Sequence, residues 1–222
     1  MPENNLELLR FTLGAWQTNC YVLAAHPDPG SPCWIIDTGF DPDEMLDAID
    51  DKGWIPSRIL LTHAHVDHIA GLGRTRERFP DIPVALHADE RNFLDRPDLN
   101  LSAMLPTPIT WPPAEDTLHH EDTLTLADGL HFQVRHVPGH SPGGVCFYQP
   151  DSALAIVGDA LFAGSIGRHD FPTSDGPLLL KSIAEQILTL PDETVIFPGH
   201  GPESTIAREK QTNPYVGSNP SA

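Results

Sequence analysis

His63, His65, Asp67 and His68 place four metal-binding side chains within six positions of the stretch LTHAHVDHIAG. Imidazole and carboxylate suit zinc, iron or manganese. The stretch follows the apolar run SRILL and precedes a helix-like pattern, so it sits where a strand ends and a helix begins. Residues i and i+2 of an extended segment share a face, which lets His63 and His65 point to one spot. Asp67 and His68, at the helix start, can point to a second spot nearby. No cysteine lies close by, which disfavours a structural zinc finger.

Three more ligand-type residues stand on loops that follow apolar runs: His140 in VPGHSPGG, Asp159 in VGDALF and His200 in FPGHGP. Loops leaving strands are the usual home of functional groups. The glycines beside these residues let backbone approach a metal or substrate closely. His26, His87, His119, His120, His131, His136 and His169 lack that setting or lie within strand patterns. They are read as ordinary surface or core residues.

Taken in order, T-H-A-H-V-D-H, G-H-S-P-G-G, G-D-A and P-G-H-G resemble the metallo-β-lactamase superfamily. The resemblance implies an α/β (α+β) fold, a four-layer αββα sandwich with a dinuclear site at its rim. Carried over by position, His63, His65 and His140 hold one metal. Asp67, His68 and His200 hold the other, and Asp159 bridges both. Two divalent ions are implied, zinc first, with iron or manganese acceptable. A metal-bridging hydroxide would attack a carbonyl, with Asp67 helping to orient it.

GDALFAGSIGRHDFP, FPGHGPEST and the late TNPYV look like glyoxalase II (hydroxyacylglutathione hydrolase) in a short form. That likeness implies a thioesterase acting on S-lactoylglutathione or a related small-molecule acyl thioester. Arg168 could pair with a substrate carboxylate or, internally, with Asp170. The full-length family has a C-terminal helical region that grips glutathione, whereas this chain ends about 20 residues after His200. A persulfide dioxygenase shares the fold and uses a single iron, on ligands that resemble His63, His140 and Asp159. A lactonase is a third possibility. A true β-lactamase is disfavoured because those enzymes do not use a bridging Asp159. An inactive metal- or thioester-binding module would be expected to have lost a ligand, and none of the seven is missing.

These residues need elements to hold them. LELLRFTLG and NCYVLAAH read as two strands joined by a short turn. CWIIDTG is a buried strand, and DPDEMLDAIDDKG a helix stopped by Gly53. SRILLTH is a short strand, IAGLGRTRERF a helix, IPVALH a strand and DERNFLD a short helix. Residues 96–121, with five prolines, form an irregular insertion. A hairpin turning at Asp128-Gly129 follows. GGVCFYQ and ALAIVGD are strands, GPLLLKSIAEQILTL a helix, TVIFPGHG a strand and loop, and PESTIAREKQ a terminal helix. Two sheets between helices satisfy this order, and so does a doubly wound sheet.

The chain has 222 residues, 40% hydrophobic and 20% charged, which suits one domain over 1–222. Its net charge of -18 repels polyphosphate, so nucleic acid is not an expected partner, and a nuclease is disfavoured. No apolar run reaches the roughly 18 residues of a membrane span. MPENNLELLRF lacks the pattern of a secretory signal. Cytoplasm is the expected compartment. Cys20, Cys33 and Cys146 are odd in number and set in apolar runs, as expected of buried free thiols in a reducing environment.

Overall fold

A computed structural model describes residues 6–218. The chain falls into two compact units. The first runs through Leu118 and includes Thr125–His131; the second holds His119–Leu124 and the chain from Phe132 onward.

The first unit carries strands β1 (Glu7–Leu13), β2 (Thr18–Ala24) and β3 (Pro32–Ile36), helix α1 (Asp43–Lys52) and strand β4 (Ile55–Leu60). Helices α2 (Val66–Ile69) and α3 (Leu72–Arg78) follow, then β5 (Val84–His87) and β6 (Asp116–Leu118). Among the described residues these strands form one six-stranded sheet in chain order. β1, β2 and β3 pair antiparallel, and β3 to β6 pair parallel. Every residue of β2 is buried, as expected of an interior strand whose apolar run over 20–24 follows two buried polar residues, Thr18 and Asn19. α1 buries Met45, Leu46 and Ile49, and Gly53 ends it at φ 65.

The helix expected over IAGLGRTRERF is two helices, and the physical reason lies in β3's exit loop. The His68 carbonyl accepts from Thr38 N–H at 2.8 Å and from the Thr38 hydroxyl at 3.2 Å, which diverts it from the helical ladder. A Cβ on Gly71 would lie 2.5 Å from the Thr38 carbonyl. Only glycine allows that approach. The short helix expected over DERNFLD shrinks to a 3₁₀ turn at Ala88–Glu90, because the backbone closes three-residue bonds (Arg91 N–H to Ala88 O, Phe93 N–H to Glu90 O, Arg96 N–H to Phe93 O) in place of a helical ladder. The Pro-rich segment is irregular to Glu115 apart from a 3₁₀ turn at Ser102–Met104, and residues 116–118 add β6 to the sheet edge. The segment is stitched internally: Ser102 Oγ donates to Ile109 O at 3.0 Å and accepts from Ile109 N at 2.9 Å.

Later in the chain come β7 (Thr123–Ala127), β8 (Leu130–His136), β9 (Val145–Gln149) and β10 (Leu154–Gly158). Then follow the small hairpin β11 (Leu161–Phe162) and β12 (Ser165–Ile166), and helix α4 (Gly176–Ser182). β13 (Val195–Pro198), β14 (Ser204–Thr205) and α5 (Ile206–Thr212) complete the order. The second sheet runs β14-β13-β10-β9-β8-β7 among the described residues. β7 and β8 turn at Asp128-Gly129, with Gly129 at φ 80. α4 starts on Asp175, whose carboxylate accepts from Leu178 N at 2.9 Å. The expected helix to Leu190 widens into a π turn at Ile183–Ile187, where Leu188 N–H reaches back to Ile183 O. Leu179, Ile183, Ile187 and Leu190 are buried in this unit's core, whereas Leu180 is exposed. No helix among the described residues is long and apolar enough to cross a membrane.

Candidate metal centre

In the first unit, the end of β4 delivers the histidine-rich stretch. His63 and His65 are each 2% exposed, Asp67 7% and His68 0%. The rings of His63 and His65 stand 4.7 Å apart and nearly perpendicular, and those of His63 and His68 4.1 Å apart. His63 and His65 bring ligand nitrogens within 4.8 Å of each other, as do His63 and His68. Asp67 Oδ2 lies 3.5 Å from His68 Nε2. That is too long for a good hydrogen bond. It is close to the roughly 3.3 Å edge of a tetrahedron with metal bonds of about 2.0–2.1 Å.

The polarity of these rings follows from their neighbours. Asp37 is 1% exposed and accepts from three groups. Its Oδ1 takes the Thr62 N–H at 2.8 Å, and its Oδ2 takes the Thr62 hydroxyl at 2.7 Å. Oδ2 also sits 2.8 Å from His68 Nδ1. An ionised carboxylate only accepts, so Nδ1 carries the His68 proton and Nε2 the lone pair. Thr62 has spent its hydrogen on Asp37. Its oxygen, 3.2 Å from His63 Nδ1, can there only accept. His63 therefore also presents Nε2. One carboxylate sets the tautomer of two candidate ligands.

Other partners fix the loop itself. Ala64 N–H donates to the buried Glu90 carboxylate at 2.6 Å, and Val66 N–H to Asn100 O at 2.8 Å. The Thr18 hydroxyl donates to Asp67 Oδ2 at 3.0 Å. Sequence reasoning missed Asp37, Glu90, Thr18 and Thr62. Asp37 alone left a trace, as an acid in IIDTG at the end of a buried strand.

In the second unit, His140 lies on the loop between β8 and β9. Its Nδ1 is 2.7 Å from Arg168 O. A carbonyl only accepts, so here too Nε2 holds the lone pair. Asp159 follows β10, and His200 follows β13, with Gly199 N–H donating to the carbonyl of Gly158, the last residue of β10, at 2.9 Å. Asp159 Oδ2 stands 3.6 Å from His140 Nε2 and 3.5 Å from His200 Nε2. One carboxylate oxygen thus faces both histidines. A Cβ on Gly167 would collide with the Asp159 carbonyl and lie 3.0 Å from His140 Nδ1. His200 is the open member, its side chain 30% exposed against 8% for His140.

Arg168 takes part through its carbonyl. Its guanidinium is bidentate to Asp170, at 2.9 Å for both bonds, and lies over the Phe171 ring at 4.4 Å. That is the internal pairing named as one alternative from sequence. Of the remaining histidines, His131 meets the Thr125 hydroxyl at 3.0 Å, and His120 Nδ1 accepts from His136 N–H at 3.2 Å.

The chain matches the family model of the metallo-beta-lactamase superfamily over residues 13–200. It is 40% identical over 208 residues to "Probable metallo-hydrolase YqgX" of Bacillus subtilis (strain 168), covering 93% of this chain and 96% of that one. It is 32% identical over 222 residues to "Hydroxyacylglutathione hydrolase GloC" of Haemophilus influenzae, covering 96% and 99%. Among solved structures, BLEG-1 B3 metallo-beta-lactamase shares 42% identity, with a TM-score of 0.88 over 95% of this chain and 99% of that one. TTHA1623 in a di-iron-bound form shares 38% identity, with a TM-score of 0.80 over 94% and 100%. The chain belongs to the metallo-β-lactamase superfamily and has its mixed α/β fold.

Proposed function

We propose that the protein is a hydrolase with a two-metal centre. His63, His65 and His140 hold one ion, Asp67, His68 and His200 the other, and Asp159 serves both. The observation that carries this reading is ring polarity. His63, His68 and His140 each commit Nδ1–H to a protein acceptor, which turns Nε2 into a cation ligand. The donor set of imidazole and carboxylate fits zinc, iron or manganese. When bound, two such ions lower the pKa of a water towards neutrality and polarise a substrate carbonyl.

The chain's own groups do the rest. Asp159 turns one oxygen towards His140 and His200, where its negative charge would offset that of the bound cations. Thr18 donates to the Asp67 carboxylate and orients it, and from there Asp67 would hold a metal and help align the nucleophile. His200, as the exposed ligand, marks the side open to substrate.

For substrate we propose a glutathione thioester such as S-lactoylglutathione. Support comes from the GloC relative, matched over nearly its whole length, and from the GDALFAGSIGRHDFP and TNPYV stretches. Arg168 would meet a substrate carboxylate by exchanging it for Asp170. A second reading has its own support. The 42% identity to BLEG-1 favours opening of a β-lactam, against the sequence-based argument from Asp159.

The test is hydrolysis of S-D-lactoylglutathione by purified, metal-quantified protein, with Asp67→Ala as control. A chromogenic cephalosporin and oxygen uptake on glutathione persulfide run beside it. Thioester turnover that is lost in the variant, with about two metals bound per chain, supports the proposal. Cephalosporin turnover without thioesterase activity moves the reading to a lactamase. Oxygen uptake with one iron moves it to a dioxygenase.

A further inference from the structure

Glu209 is a fully buried carboxylate on α5, nine positions beyond His200. Burying it demands partners. Its Oε1 accepts from the Ser204 hydroxyl at 2.5 Å. Its Oε2 accepts from Gly164 N–H at 2.9 Å and from Asn213 Nδ2 at 2.7 Å. Asn213, 1% exposed, also donates from Nδ2 to Ser165 O at 3.1 Å. Its Oδ1 accepts from Tyr215 N–H at 3.0 Å. Two side chains at the end of the chain therefore grip the tip of the β11–β12 hairpin. Asn213 is the asparagine of TNPYV, which the ligand set leaves without a role.

The hairpin is short. Two register pairs hold it, Leu161 with Ile166 and Phe162 with Ser165, together with Gly167 N–H to Ala160 O at 3.2 Å. Gly164 turns it at φ 73, with open space where a Cβ would be. An isolated ribbon of this size is not stable by itself. Yet its two arms lead straight to the candidate centre. One arm leaves from Asp159. The other runs through Gly167 to Arg168, whose carbonyl sets the ring of His140.

We infer that Glu209 and Asn213 are positioning residues. They latch the hairpin so that Asp159 and the Arg168 carbonyl keep their places at His140. This rests on the reading of Asp159 and His140 as metal ligands. The latch acts through the hairpin and touches no ligand itself.

The full chain tests it, as wild type, Glu209→Gln, Asn213→Ala and Lys210→Ala. Glu209→Gln keeps the shape and sets an amide N–H₂ against groups that donate. Lys210→Ala is the control. Its ammonium ties α5 to Asp192 at 2.6 Å and to Leu190 O at 3.4 Å, both outside the hairpin. Zinc affinity is measured by competition with a chromogenic chelator, and amide exchange is followed over 160–168. Circular dichroism reports the fold.

Both latch variants should stay folded, exchange faster at Gly164 and Gly167, and bind zinc about 10–100-fold more weakly, the usual loss when a group behind a ligand is removed. Lys210→Ala should bind zinc as wild type does. Faster exchange with unchanged zinc affinity would overturn the latch, as would an equal loss in Lys210→Ala. If Glu209→Gln does not fold, Asn213→Ala decides alone by the same criteria. A wild type that takes up no zinc, or an Asp159→Ala variant that binds it equally well, would sink the metal-centre reading and this inference with it.

Discussion

Asp37 shows how much one side chain can decide. It sits at φ 57, a backbone region that Asp and Asn tolerate better than most residues. Asp37→Asn therefore keeps the backbone and replaces one accepting oxygen by a donor. Each hydrogen bond to a charged acceptor contributes about 1.5–3 kcal/mol, and Asp37 makes three. The variant should lose roughly 2–4 kcal/mol in urea unfolding and bind metal about 10–100-fold more weakly by chelator competition. Retained wild-type affinity would show that ring polarity does not matter. The thiols make a second residue-scale prediction. Burial pushes Cys33 and Cys146 up to about 12, and burial together with the nearby Asp37 and Asp67 charges raises Cys20 well above the ordinary thiol range. Native protein at pH 8 should therefore resist a thiol-disulfide reagent, and denatured protein should titrate all three cysteines.

At the scale of elements, Glu115 fastens the end of the Pro-rich segment. It accepts from Arg76 Nη2 at 2.6 Å and from Val84 N–H at 2.9 Å, joining α3 to β5. Partial burial works to raise this carboxyl, but the Arg76 guanidinium and the Val84 N–H outweigh it and hold it below the ordinary range. A depressed carboxyl stabilises above its unfolded pKa, and the gain vanishes as pH falls through its folded value. Glu115→Gln should thus cost at most about 1 kcal/mol at pH 7, since the pair is half exposed, and nothing in strong acid. A cost that grows on acidification would refute the assignment. The same scale shows what the sequence made legible. His63 to His68, His140, Asp159 and His200 stood out because ligand chemistry and glycine turns are local signals. The break before α3 was hidden because it depends on Thr38, some 30 residues away in the chain. β6 was hidden because Asp-Thr-Leu has no apolar run and forms only against β5. Glu90 and Glu209 carry no signal in the sequence, because the backbone N–H groups they accept from, on Ala64 and Gly164, lie 26 and 45 residues away in the chain.

For the molecule as a whole, the proposed centre would link metal to fold. An ion that binds the native chain at 1,000 times its Kd adds about 4 kcal/mol to stability. Chelator dialysis should lower the melting temperature, and zinc should restore it in proportion to the ions bound. A melting curve indifferent to both would argue against a built centre. The net charge of -18 adds a kinetic corollary. Its field draws cations inward, so metal uptake should slow as ionic strength rises.

Asp37 also has a consequence for how the centre fills. Through His68 directly and His63 by way of Thr62, it touches one ligand from each proposed metal shell. An ion arriving on either histidine would make that arm a stronger donor and draw charge from the shared carboxylate oxygen, which would then accept less firmly from the other arm. Repulsion between two neighbouring cations acts in the same direction. Uptake at the proposed centre should therefore be stepwise, with a singly loaded form visible in a metal titration. A cell poor in metal would then contain many half-armed molecules rather than a few fully armed ones.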